Sequence, residues 1–304
     1  MRRITDYFGI HRPVPFADVG VYVDNRAYLD PYAIRLDRSP ESHVAAAKWC
    51  LDSFFDTVAR CVMSSDAIER AYGEEILKKF KEPWETRLGM SANGFRGRGG
   101  GGDVGSWIWE ALNGRLDALL RVGVLKHLEE LPMFVDGIDR DITSDITTRV
   151  VFSALAEFTE DVLASYPEFS SGPHRTMTIT RQIWDPNLCQ WTERDMEVPA
   201  VDGRPLLLVP SAWVGNVLLL SAGRYYETTV LTYAQGEQSQ FSRAADDAKR
   251  LPKRLLKKLP GLGRGRSTNL SVTMRAIDNS ENLVDVFRRF AAERRKERGD
   301  EGVG

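Results

Sequence analysis

Residues 143–184 read TSDITTRVVFSALAEFTEDVLASYPEFSSGPHRTMTITRQIW, and a change of period inside them decides the fold class. Ile146, Val150, Val151, Ala154, Leu155, Phe158 and Val162 recur at three and four residues, the spacing of one buried helix face. From His174 the period shortens: residues 175–184 read as a strand, and Asp185-Pro186-Asn187 turns the chain towards another near 190–198. EVPAV-DG-RPLLLVP (197–210) is a hairpin signal, because Asp-Gly accommodates the positive φ angles of a type I′ turn. The expected fold class is α+β, with a helical N-terminal half and a strand-rich C-terminal half.

Working outward, FADVGVYVDNRAYLDP (16–31) alternates around Asp24-Asn25 and predicts a leading hairpin, although its turn lacks glycine. Ser39-Pro40 offers an N-cap, and Val44, Ala47, Leu51, Phe54, Phe55, Val58 and Val62 follow at helical spacing. A second helix is expected over 66–81, with Ile68, Tyr72, Ile76, Leu77 and Phe80 on one face. Pro83 ends it and opens an irregular stretch to Gly105. A third helix is expected over 106–131, with Leu112, Leu116, Leu119, Leu120, Leu128 and Leu131 as its stripe, and a fourth over 143–165. Residues 212–234 fit helix or strand, 268–277 a strand and 281–298 a charged helix. The expected division is 1–170 (with a Gly-rich loop at 94–105), 171–248 and 249–304, within what can be one compact unit.

Composition narrows the classes. With 42% hydrophobic and 28% charged residues, the chain has ordinary globular values. Its longest apolar runs fall well short of the ~20 residues of a membrane span. The N-terminus MRRITDYFGIHRP lacks the apolar core of a secretion signal, so a cytoplasmic location is expected. Cys50, Cys61 and Cys189 have no metal-ligand spacing and read as free thiols of a reducing compartment. The net charge of -2 conceals an asymmetry: residues 249–304 hold 15 Lys and Arg against 7 Asp and Glu, a basic tail on an acidic body. That arrangement points to a polyanionic partner, or to the tail docking on the body.

Four groups of residues are candidates for chemistry. Gly100, Gly102 and Gly105 in GMSANGFRGRGGGGDVG satisfy G-x-G-x-x-G ahead of a helix, but the strand of a dinucleotide fold does not precede them. Backbone N–H groups there, with Arg96 and Arg98, suit a phosphate; the structural alternative is a surface loop. Asp136, Asp139, Asp141 and Asp145 fall within ten residues at a helix start. Asp139, Asp141 and Asp145, completed by Glu82 or Glu85 of KEPWET, suit Mg²⁺ or Mn²⁺ and the activation of water on a phosphodiester. Capping and the helix dipole account for the same acids without a metal.

The third candidate is KRLPKRLLKKLPGLGRGR (249–266). Lys249, Arg250, Lys253, Arg254, Lys257, Lys258, Arg264 and Arg266 stand there without one acid, and Leu251, Leu255 and Leu259 repeat at every fourth position. Phosphate-backbone binding is the leading reading; an anionic membrane surface and a solvated face are the others. Arg288, Arg289, Arg294, Arg295, Lys296 and Arg298 extend the charge, interleaved with Glu293 and Glu297. Fourth, Arg121-x5-His127 is similar in spacing to the catalytic pair of one superfamily of helical ribonucleases. Six residues along a helix leave the two side chains on different faces, which favours chance. No nucleophilic triad or zinc signature is present, and Trp107, Trp109, Trp184 and Trp191 suit packing as well as base stacking.

NRAYLDP (25–31), GIDRDITSDITTRVV (137–151) and RPLLLVPSAWV (204–214) resemble a pattern of uncharacterised bacterial proteins found near defence or mobile-element genes. The resemblance implies a bacterial cytoplasmic setting and nucleic-acid-directed activity, and assigns no residue a role. The leading expectation is therefore a nucleic-acid-engaging protein of a defence-type system, in its catalytic form a metal-dependent nuclease. The alternatives are a non-catalytic sensor, scaffold or partner subunit, including a homo-oligomer, and a nucleotide-binding enzyme using the Gly-rich loop.

Overall fold

The computed structural model describes residues 2–23, 25–80, 83–89, 101–242 and 251–300. It falls into two units, Met1–Asp117 with Arg140–Leu218, and Ala118–Asp139 with Leu219–Gly304. The α+β expectation holds: helices dominate the N-terminal half, and a three-stranded sheet lies in the C-terminal half.

The first unit begins with α1 (Ile4–Phe8), α2 (Pro31–Leu36), α3 (Ser42–Met63), α4 (Ala67–Lys78) and α5 (Gly101–Asn113). Asp30 starts α2 by accepting the N–H groups of Tyr32 and Ala33, with Pro31 in the first turn. The helix expected behind Ser39 starts instead at Ser42, with Glu41 at the N-cap. All seven of its expected core positions are buried. Ile68, by contrast, is 80% exposed in the first turn of α4.

The long third helix is replaced by shorter pieces. Asn113 ends α5, and α6 (Asp117–Arg121) stops before Gly123, whose φ is 66°. A 3-10 helix then spans Leu128–Met133. The leucine stripe is still buried, because each piece turns its own leucines inward. The fourth helix likewise divides at Val151 into α7 (Arg140–Val150) and α8 (Phe152–Ser165).

The sheet follows the sequence closely. β1 (Tyr28–Leu29) pairs with the late strand Val214–Gly215, while β2 (Arg175–Asp185) and β3 (Gln190–Val201) form a long antiparallel hairpin. Asp202 and Gly203, both at positive φ, turn β3 into β4 (Arg204–Pro205), as the Asp-Gly signal predicts. Trp184 and Trp191 face each other across β2 and β3 at 5.5 Å between centroids, and Phe54 of α3 packs on both.

The leading hairpin does not form between the two halves of residues 16–31. Phe16 bridges to Pro210, Gly20 to Arg3 and Asn25 to Leu88, and Tyr28–Leu29 join β5 (Val214–Gly215). Without a Gly at the turn, the segment finds separate partners. The buried Asn25 side chain closes it locally, accepting the Gly20 N–H and donating to the carbonyls of Gly20, Val23 and Arg87.

In the second unit, α9 (Ala222–Tyr225) runs through a π-helical turn (Tyr226–Val230) into α10 (Leu231–Ser242). α11 (Lys253–Leu256), α12 (Arg266–Asp278) and α13 (Leu283–Asp300) complete it. Residues 212–234 are therefore mostly helical, and 268–277 is helix rather than strand. Among the described residues no helix is long and apolar enough to cross a membrane.

Candidate functional site

Glu85 sits in the short 3-10 helix Trp84–Thr86 with its side chain buried. Arg181 of β2 donates to its Oε1 through Nε at 2.5 Å, and the Glu85 carbonyl accepts the Leu207 N–H at 3.0 Å. Arg149 of α7, only 3% exposed, stands in the field of the same carboxylate, its guanidinium 4.9 Å from the Phe152 ring centre. Burial pulls the Arg149 pKa down; Glu85 opposes that, Arg181 adds to it, and Asp145 opposes it again. Among the described residues Glu85 Oε2 accepts no hydrogen bond. A buried carboxylate is tolerated here because guanidinium groups compensate it.

The same short turn also faces outward. Glu85 and Thr86 are buried, whereas Trp84 is exposed and Arg87 adopts the left-handed region at φ 59°. The Arg87 guanidinium lies 5.3 Å from the Trp84 ring centre and donates to the carbonyls of Val21, Trp84 and Pro205.

The expected metal ligands are distributed as follows. Asp141 and Asp145 lie one turn apart on α7, partly buried, with the Asp141 carboxylate against Gly89. Asp136 and Asp139 belong to the second unit, where Asp136 is 3.9 Å from Arg266. Glu85 and Asp145 converge through Arg149, and Glu82 lies outside the described residues. Among the described residues no three His, Cys, Asp or Glu side chains form a metal-ligand group. Glu85 meets cationic side chains where a metal was expected.

Sequence reading missed Arg149 and Arg181. The signal was present for the first, since Asp141, Asp145 and Arg149 repeat at four residues. For Arg181 nothing local marks a strand Arg as the partner of a residue 96 positions away.

Of the phosphate-loop candidates, Arg96, Arg98 and Gly100 lie outside the described residues. Gly102 is in the first turn of α5 with open space around it. Gly105 has a packing reason: a Cβ there would stand 2.3 Å from the Leu77 carbonyl oxygen of α4. Arg121 ends α6 and His127 caps the following 3-10 helix, so no single helix carries both.

Lys249 and Arg250 lie outside the described residues; the rest of the basic run belongs to the second unit. Lys253 donates to the Glu227 carbonyl and to Thr232, Lys257 pairs with Glu227 at 2.7 Å, and Arg266 donates to the carbonyls of Pro132 and Ile138. Arg254, Lys258 and Arg264 are exposed. The expected leucine stripe does not form: Leu256 and Leu262 are buried while Leu255 is 40% exposed, because only a single helical turn, Lys253–Leu256, is present there.

Glu130, in this unit, is also a buried carboxylate. It accepts the N–H groups of Lys126 and His127 and lies 3.4 Å from Arg288 of α13. Burial, then the neighbouring Glu129 charge, pushes its pKa up to about 7 against the pull of those N–H donors, His127 and Arg288.

Residues 11–220 match the DUF8370 family, described as a domain of unknown function, and the chain belongs to that family. The match includes Glu85, Arg149 and Arg181 and ends before the basic run at 253–266. No curated protein and no solved structure matches the chain.

Proposed function

We propose that this protein engages nucleic acid, with Arg254, Lys258 and Arg264 contacting phosphates. The observation that carries the reading is their exposure on a run, 253–266, that contains no acid. Phosphate contacts of this kind supply sequence-independent affinity and make it fall steeply with salt. The likeness of residues 25–31 and 137–151 to proteins near defence genes adds a bacterial cytoplasmic setting to the proposal.

The proposal is of binding. Cleavage by Asp139, Asp141, Asp145 and Glu85 with Mg²⁺ or Mn²⁺ is a further outcome for the same experiment to read. A non-catalytic partner subunit is the second reading, favoured by the internal engagement of Lys253, Lys257 and Arg266.

The test titrates labelled DNA and RNA between about 50 and 200 mM salt, with Mn²⁺ or with EDTA. Replacing Arg254, Lys258 and Arg264 together by Ala should lower the slope of log affinity against log salt by about 3. An unchanged slope overturns the assignment of these residues, and no binding at any salt overturns the nucleic-acid reading.

A further inference from the structure

Glu130 and its neighbour Glu129 are buried side by side in the 3-10 helix Leu128–Met133, at 0% and 1% exposure. A carboxylate is stable in such a place only where its charge is compensated or its proton retained. One oxygen of Glu130 takes the Lys126 and His127 N–H groups at 2.7 and 3.1 Å. The other, Oε1, accepts no hydrogen bond among the described residues and lies 3.4 Å from the Arg288 guanidinium. Arg288 belongs to α13 and stands 3.7 Å from Asp285 of the same helix, a half-exposed carboxylate. It therefore has one acidic partner in the core and another at the surface.

The helix that carries Arg288 docks beside the same carboxylate. Leu283, Val284, Phe287 and Ala291 form its buried face, and the Phe287 ring lies 5.3 Å from that of Tyr225 at the end of α9. Tyr225 lies within the field of Glu130 and shares its hydroxyl with Thr273 of α12 at 2.7 Å. α12 also brings Asn269 and Arg266, which donate to the carbonyls of Met133 and Pro132 at the far end of the 3-10 helix. The charged and titratable groups around Glu130 are thus Glu129 and His127 on its own segment, Tyr225 from α9, Arg266 from α12, and Arg288 with Asp285 from α13.

We propose that Glu130 is a proton-controlled latch for α13: with the proton on, the helix docks over a neutral carboxyl, and with the proton off, α13 lifts so that water reaches the charge while Arg288 stays with Asp285. Linkage fixes the direction. Docked, Glu130 holds its proton up to about 7, whereas solvated in the open form it releases it near the ordinary 4.5. Between those values each pH unit raises the open-to-docked ratio about tenfold, and above them the ratio levels off. Opening uncovers Phe287 and the rest of the apolar face of α13.

The test is hydrogen exchange read by mass spectrometry on the full chain at about pH 5 and pH 8, with each rate corrected for chemical exchange at that pH. Opening of α13 should rise on the order of 50-fold between the two, and that of α3 should change little. In Glu130→Gln, which keeps the side-chain size and cannot ionise, α13 should open equally at both pH values. Arg288→Met removes a cation that favours the charged carboxylate, so α13 should open further still at pH 8. His127→Asn should leave the pH dependence in place, which assigns it to the carboxyl rather than to the imidazole.

Equal opening of α13 at both pH values in the parent, or a rise that persists in Glu130→Gln, overturns the latch. A rise shared in full by α12 also overturns it, because the whole unit is then unfolding together.

Discussion

Arg181 and Glu85, 96 positions apart in the chain, meet at 2.5 Å with the carboxylate 1% exposed and the arginine side chain 28% exposed. The pair ties the long hairpin to the turn carrying Trp84. Removing one partner leaves a buried charge short of compensation, which costs far more than an exposed ion pair is worth. Arg181→Leu should therefore destabilise the protein by about 3 kcal/mol in urea denaturation. Glu85→Leu combined with Arg181→Leu should cost clearly less than either single change. A double variant that costs the sum of the two single changes would show that Arg181 and Glu85 are uncoupled and that Arg149 balances the carboxylate.

Glu130 makes stability depend on pH in a definite direction. Its folded pKa, about 7, lies above the ordinary carboxyl value of 4.5, so the folded protein holds this proton more tightly. Its contribution is thus fully present below about pH 4.5 and is lost as the pH rises through 7. Glu130→Gln should match the parent at about pH 4 and exceed its stability at about pH 8, by an amount on the order of 3 kcal/mol. Denaturation curves at the two pH values check this, and a pH-independent difference would assign the effect to packing.

Helix contact explains Gly105 without any ligand. Gly105→Ala should force α5 away from the Leu77 carbonyl and cost about 2 kcal/mol or more. Gly102→Ala, with open space around it, should be neutral or gain up to about 1 kcal/mol from helix propensity. Thermal melts of the two variants separate a packing glycine from a phosphate-binding one.

The thiols should differ in reactivity. Cys50 and Cys61 are buried, and burial raises the pKa of both, that of Cys50 to about 11 despite its hydrogen bond to Ser153. Cys189 sits partly exposed at the hairpin turn. Iodoacetamide at about pH 8 should label one thiol in the native protein and all three after denaturation, counted by intact mass. Rapid native labelling of Cys50 would contradict its buried position.

Short-range patterns were legible wherever a local rule governs the backbone. The apolar faces of α3 and α8, the change of period at His174 and the Asp202-Gly203 turn all appear where the residues indicate. The expected third helix failed because a leucine stripe reports burial, and several short pieces bury it as well as one long helix. Residues 16–31 alternate like a hairpin, yet their partners come from positions 3, 88, 210 and 214–215. Alternation specifies an extended chain with one buried face and says nothing of which strand lies beside it.

The candidate site divides along the same line. Sequence alone determined the helix and strand periods, the acid-free basic run and the i, i+4 series Asp141, Asp145, Arg149, since each depends on neighbours within a few residues. Only the tertiary structure decided that Glu85 faces Arg181 and Arg149, that Lys253, Lys257 and Arg266 are engaged while Arg254, Lys258 and Arg264 are exposed, and that Trp84, Tyr22, Arg87 and Arg204 share one groove. Charges and rings act over a few ångströms of space, and residues brought within that range here stand as far apart in sequence as Tyr7 and Asp202, whose hydroxyl and carboxylate meet at 3.0 Å across 195 positions.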